Sequence, residues 1–157
     1  MAWWTDPDNA ATPPVTMDRV AAWLERIGWE YERRRGGDYD EIHTGAGRTQ
    51  FLIEIPDPRL LSVRGRETYG TGHGPGAQEQ VAAAATQVNE SCWVPSVFAL
   101  PSQGDATTVA TRALVNIEAG ANDEQLHDYL GLMTTTTVER FKALRELLGI
   151  DDEEEAG

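Results

Sequence analysis

Residues 66–90 read RETYGTGHGPGAQEQVAAAATQVNE, and the parsing of this stretch decides the fold. Gly72-His73-Gly74-Pro75-Gly76-Ala77 satisfies the letters G-x-G-x-x-[GA], which in a parallel strand–loop–helix unit cradle a dinucleotide pyrophosphate. That unit also requires an acidic residue about 20 positions on, at the end of the next strand. Here the strand after the helix closes on FALPSQ, and Asp105 falls later, in a turn. A P-loop would need Lys-Ser or Lys-Thr after the glycines, yet the next arginine or lysine beyond Arg66 is Arg112. The glycines therefore read as a connector from an edge strand to a helix. A helix N-terminus still offers unpaired amides to an anion. Gly72, Gly74 and Gly76, with the nearby Arg64 and Arg66, accordingly form an alternative site for a phosphorylated metabolite.

The segments upstream alternate with period two. LLSVRGR (60–66) puts Leu61 and Val63 on one face and Ser62, Arg64 and Arg66 on the other, as in a strand with one covered face. TQFLIEI (49–55) sets Phe51, Ile53 and Ile55 against Gln50, Leu52 and Glu54. Pro56-Asp57-Pro58 reads as its end, because proline cannot continue a ladder. WEYERRR (29–35) alternates and turns at Gly36-Gly37-Asp38; YDEIHT (39–44) is a short strand whose separateness the sequence leaves open. The short links imply antiparallel pairing, since a parallel return needs about a dozen residues or more.

Downstream, a helix over 77–91 presents Val81, Ala84, Ala85 and Val88 as a narrow buried stripe. Strands over 94–100 and 107–117 follow. The second places Val109, Thr111, Ala113, Val115 and Ile117 on one face and reads as central. An opening helix is capped by Thr16, with Asp18 at its positive end. Met17, Val20, Leu24 and Ile27 face inward, and Gly28-Trp29 stops it. Asn122 and Gln125 form a capping box before Leu126, Tyr129, Leu130 and Met133. Thr136 and Glu139 repeat that pattern, which leaves one or two helices open, the last carrying Val138, Phe141, Leu144, Leu148 and the stem of Arg145 and stopped by Gly149-Ile150. The sum is an α+β domain: an antiparallel sheet of about five strands with helices in the order α-β3-α-β2-α. A mobile N-terminal arm (1–14, with Trp3 and Trp4), a single domain (15–149) and an acidic disordered tail (150–157) are expected.

Composition narrows the function. The 157 residues carry a formal charge of −13, and without the five acids of 151–155 the balance is still 21 acidic against 13 basic. Such a surface gains nothing from phosphate backbones or anionic membranes, so neither nucleic acid nor membrane is an expected partner. One cysteine, Cys92, precludes an intrachain disulfide, and with no secretory signal pattern the expected compartment is the cytoplasm. The basic run Arg33-Arg34-Arg35 reads as a solvated hairpin end.

Catalytic and metal chemistry find no footing. His43, His73 and His127 stand on different elements, and no C-x-x-C, H-x-x-x-H or H-E-x-x-H occurs, so no zinc set is expected. Ser62, Ser91, Ser96 and Ser102 lack a G-x-S-x-G elbow. Cys92 reads as a small core residue. Asp38, Asp40, Glu41, Asp57 and Glu118 fall in turns or near strand ends, where carboxylates are solvated. No cofactor is expected.

With the elements laid out, the chain resembles an actinobacterial member of the YbjN family of bacterial sensory-transduction regulators, over roughly 15–149. The likeness rests on VAAWLERIGWEYE, on LLSVRGRE leading into a helix, on VNESCWVPSVFAL and on VNIEAGANDEQLHDYLGLMTTTTVERFKALRELLG. It implies a fold similar to class I type III secretion chaperones, often dimeric, with a surface that holds other chains. The expected function is thus a non-enzymatic cytoplasmic protein-binding or regulatory module, a homodimer engaging partner protein segments.

Overall fold

The computed structural model describes residues 12–70, 76–101 and 106–150. The Trp3-Trp4 arm, the glycines at 71–75, the turn at 102–105 and the acids of 151–155 lie outside them. In chain order the elements are α1 (Met17–Ile27), β1 (Tyr31–Gly36), β2 (Tyr39–Ala46), β3 (Thr49–Asp57), β4 (Leu60–Gly70), α2 (Ala77–Glu90), β5 (Val97–Ala99), β6 (Ala106–Asn116) and α3 (Asp123–Leu148). The described strands form one six-stranded sheet in the order β1-β2-β3-β4-β6-β5. Every pairing is antiparallel. The sheet has six strands where about five are expected because β2 is a full strand, paired on both sides.

Three boundaries differ from the sequence reading, each for a local reason. β3 runs through Pro56 to Asp57, with a register shift between Glu54 and Asp57 that places the proline where the ladder is already interrupted. β5 keeps only three residues, and the side chain of Asn89 stands in for a neighbouring strand at Val97. Its amide donates to the Val97 carbonyl at 2.7 Å and its oxygen accepts from the Val97 amide at 2.8 Å. The C-terminal part is one helix of 26 residues, which settles the choice the sequence leaves open. Thr136 does not cap. Its hydroxyl donates to the Leu132 carbonyl at 2.6 Å, and that of Thr134 to the Leu130 carbonyl at 2.8 Å, so both satisfy themselves within a continuous helix.

All three helices cover the same face of the sheet. α1 brings Val20, Trp23 and Leu24, and α3 brings Leu126, Leu130 and Met133, onto Ile42, Phe51, Ile53, Leu61 and Val63. The caps set this packing. The Thr16 hydroxyl accepts from the Arg19 amide, and Gly28 closes α1 at φ 76°, a left-handed conformation that suits glycine. Trp29 then stacks on Phe51 with ring centroids 6.0 Å apart, and the buried Trp23 donates its indole N–H to His127 Nδ1 at 3.0 Å. Residues 12–14 also join the domain: the Ala121 amide and the Arg19 guanidinium donate to the Pro13 carbonyl.

A second core gathers Tyr69, Val97 and Val109 of the sheet with Val81, Ala84, Ala85 and Val88 of α2 and Phe141 and Leu144 of α3. The α2 stripe is the expected one. Between the two cores, α3 crosses β4 at Gly65. A Cβ there would stand 2.3 Å from Thr137 Cγ2 and 2.9 Å from Thr111 Oγ1, so only glycine allows the approach. Beside it lies a buried ion pair. Arg145 donates to both oxygens of Glu67, at 2.8 and 2.7 Å, while Thr49 and Tyr69 donate hydroxyls to the same carboxylate at 2.6 and 2.9 Å. Burial first, then the adjacent Glu67 charge, push Tyr69 far above the usual tyrosine value of 10.0.

Candidate functional site

Because the helices share one face, no described helix covers the other face of the sheet. Side-chain parity and strand register build its floor as three cross-strand rows. One row runs Glu32, His43, Leu52, Arg64, Arg112 across β1, β2, β3, β4 and β6. The next runs Gln50, Arg66, Ala110, Phe98 across β3, β4, β6 and β5. The third runs Arg34, Glu41, Glu54, Ser62, Leu114 from β1 to β6. At about 4.8 Å between strands, a five-strand row spans about 19 Å.

The first two rows, with Leu100, line a groove of about 660 Å³. Its chemistry is mixed. Leu52, Phe98 and Leu100 supply apolar surface, with Phe98 43% exposed. Arg34, Arg64, Arg66 and Arg112 supply positive charge. Several charges are already engaged: Arg34 with Glu32 at 2.6 Å, His43 with Glu41 at 3.1 Å, and Arg64 with the fully buried Glu54. Arg66 instead donates to the neutral Gln50 at 2.9 Å. Among the described residues neither Arg66 nor Arg112 has a carboxylate partner. Beside the groove, in the third row, Glu54 Oε2 and Ser62 Oγ, on directly opposed residues, are buried without a hydrogen-bond partner among the described residues.

The anion site read from the sequence is divided by this geometry. Gly76 sits at the N-terminus of α2, at φ 137° and with no side-chain cap, on the helix-covered side. Arg64 and Arg66 project from the opposite face into the groove, which Gly76 does not line. Gly72 and Gly74 lie outside the described residues. His43 faces the groove while His127, exposed on α3, accepts the Trp23 indole N–H on the helix-covered side, so the structure keeps them apart. Of the basic run, Arg33 bonds Asp18 and Asp40, and Arg34 reaches the groove. The sequence reading assigns Arg112, Phe98 and Leu100 no role. The parity of β6 and β5 marks the first two as facing away from Val109 and Val97, but only the β4–β6–β5 pairing brings them to Arg66. The Ser91–Ser96 loop beside β5 leaves Trp93 96% and Val94 69% exposed, large apolar groups standing in solvent.

This layering defines a two-layer α+β domain with one covered and one open sheet face. The chain belongs to the YbjN family, whose model, described as "Putative bacterial sensory transduction regulator", matches residues 16–146. Two solved structures share the fold. The crystal structure of YbjN from E. coli, described as "a putative transcription regulator", aligns at TM-score 0.57 and 12% identity over 88% of this chain and 92% of that one. An uncharacterized protein from Methanothermobacter thermautotrophicus aligns at TM-score 0.55 and 8% identity over 84% of this chain and 98% of that one. No curated protein matches the chain. Among the described residues no helix is long and apolar enough to cross a membrane.

Proposed function

We propose that this protein is a non-enzymatic regulatory module of the YbjN type that receives a segment of a partner protein in the open-face groove, working as a cytoplasmic homodimer. The observation that carries this reading is the groove itself: apolar and cationic side chains presented across five strands on a face no described helix covers. Its size and mixed lining suit a peptide chain, with the apolar groups giving affinity and the arginines orientation. The pairing of Glu54 with Arg64, of Glu32 with Arg34 and of Glu41 with His43 further supports binding over catalysis, since these groups hold each other rather than a nucleophile.

The test is site-specific photo-cross-linking in the native host. A benzophenone side chain at Ala110, in the groove, should capture a discrete protein that the same group at the exposed Thr86 of α2 does not. No capture at Ala110 beyond that at Thr86, alongside a tightly held small metabolite, overturns the proposal. Sedimentation equilibrium tests the dimer, which should run at twice 17.3 kDa.

A second reading is a sensor or enzyme for a phosphorylated metabolite, favoured by the two arginines without carboxylate partners. A thermal-shift panel of nucleotides and phosphorylated metabolites decides it. A ligand present at about 100 times its Kd stabilises by about 2.7 kcal/mol, and a flat response removes the idea.

A further inference from the structure

The groove differs in charge from the molecule that carries it. Four of the 13 arginines and lysines line it, in a chain of net −13. Arg64 and Arg112 are directly opposed on β4 and β6, an arrangement of like charges that costs stability when nothing lies between them. Arg66 stands two residues along β4 on the same face, opposite Ala110, which in turn opposes Phe98. Glu54 fixes Arg64 in place, whereas Arg66 and Arg112 are exposed and lack an acidic partner among the described residues.

We infer that the segment this groove takes is acidic, its carboxylates binding Arg66 and Arg112 and a neighbouring apolar side chain packing on Phe98 and Leu100 at the β5 side. The inference rests on the segment-binding reading above and specifies the partner's chemistry. A carboxylate matches the planar guanidinium fork in two parallel hydrogen bonds, so two such groups position a chain as well as attract it. A phosphate ligand fits less well. Such sites use convergent backbone N–H groups, whereas β4, which carries Arg64 and Arg66, is laddered to a strand on each side. A small phosphate would also leave Phe98 and Leu100 unused. Nucleic acid is repelled by the net charge. Apolar surface at Phe98 and Leu100 beside two cations instead fits acidic residues adjoining a hydrophobic one.

The experiment measures binding of a fluorescein-labelled hexapeptide, Glu-Leu-Glu-Glu-Leu-Glu, to the full chain by anisotropy, with analogues carrying Gln for Glu or Ala for Leu. Replacing the glutamates should weaken binding by about tenfold or more, the scale of one lost charge-assisted hydrogen bond. Arg66→Gln and Arg112→Gln in the protein should do the same without lowering the melting temperature, while Arg26→Gln on α1 leaves binding as it was. The Ala analogue should bind several-fold more weakly to the native chain and no more weakly than the Leu peptide to Phe98→Ala. Equal binding of the Glu and Gln peptides, no effect of Arg66→Gln and Arg112→Gln, or displacement by tripolyphosphate without dependence on leucine each overturns the inference. If the acidic peptide fails while Ala110 still captures a protein, the groove reading stands and this partner chemistry falls. If the peptide binds as expected while Ala110 captures nothing, the groove's chemistry stands and the function proposed for it falls.

Discussion

Gly65→Ala places one methyl group where α3 presses hardest on the sheet. The new Cβ would sit 2.3 Å from Thr137 Cγ2, 2.9 Å from Thr111 Oγ1 and 3.3 Å from Phe141 Cε2. Carbon atoms settle at about 3.5–4.0 Å, so the helix or the strand must yield by more than about 1 Å at a point held from both sides. Overpacking of this kind costs about 1–3 kcal/mol, and the severity of the contact with Thr137 puts the expected loss at about 3 kcal/mol. The gain of about 0.5–1 kcal/mol from replacing a strand glycine by alanine is too small to offset it. Thr137→Ser deletes the offending methyl and keeps the hydroxyl that meets Thr111 Oγ1 at 3.3 Å; alone it should cost about 1 kcal/mol. The double variant should then lose only about 2 kcal/mol, below the sum of the singles, a coupling of the size that contacting residues show. Urea unfolding followed by tryptophan fluorescence measures all three, with the slope m as the check that compactness is unchanged. A loss below about 0.5 kcal/mol for Gly65→Ala, or strict additivity in the double variant, would refute the close crossing of α3 over β4.

Other perturbations probe the buried ion pair, the buried phenol and the exposed loop. Arg145→Met leaves Glu67 charged and enclosed and should cost about 3–5 kcal/mol, and Glu67→Gln combined with it should recover part of that loss, because an unpaired buried charge is dearer than no charge. Tyr69 has a folded-state pKa raised above its unfolded value of about 10, so its contribution is full below that pH and declines as pH rises beyond it. Stability should therefore fall by up to about 1.4 kcal/mol per pH unit above about pH 10, a slope that should flatten in Tyr69→Phe, as read from urea midpoints. Trp93→Ala should change stability by no more than about 0.5 kcal/mol, since the side chain is exposed; a larger loss in the same assay would show that the side chain is covered.

The elements of this fold are legible in the sequence wherever a period or a cap states them. Val81, Ala84, Ala85 and Val88 lie at helical spacing and are the residues α2 buries; Thr16, Gly28, Asn122 and Gly149 mark real helix ends. What local pattern cannot state is partner choice. Nothing in LLSVRGRE or TTVATRALVNI says that Arg64 will oppose Arg112, because that register depends on where a 35-residue excursion through α2 returns the chain. The threonine run misleads for a related reason. A hydroxyl at Thr136 serves a helix N-terminus or bonds back within a helix, and the surrounding packing, with Thr137 wedged against Gly65, selects the second. Glu67 shares parity with Leu61 and Val63, so its burial follows from strand alternation, but its partner Arg145 stands 78 residues away.

The continuity of α3 makes one rod serve two interiors. Leu126, Leu130 and Met133 belong to the compartment under α1, and Phe141 and Leu144 to the one under α2. Had the helix broken at the threonines, each half could have melted by itself. Joined by an unbroken run of turns, the halves are held to a common fate, so amide exchange in α1 and α2 should proceed through the same global opening rather than through separate ones.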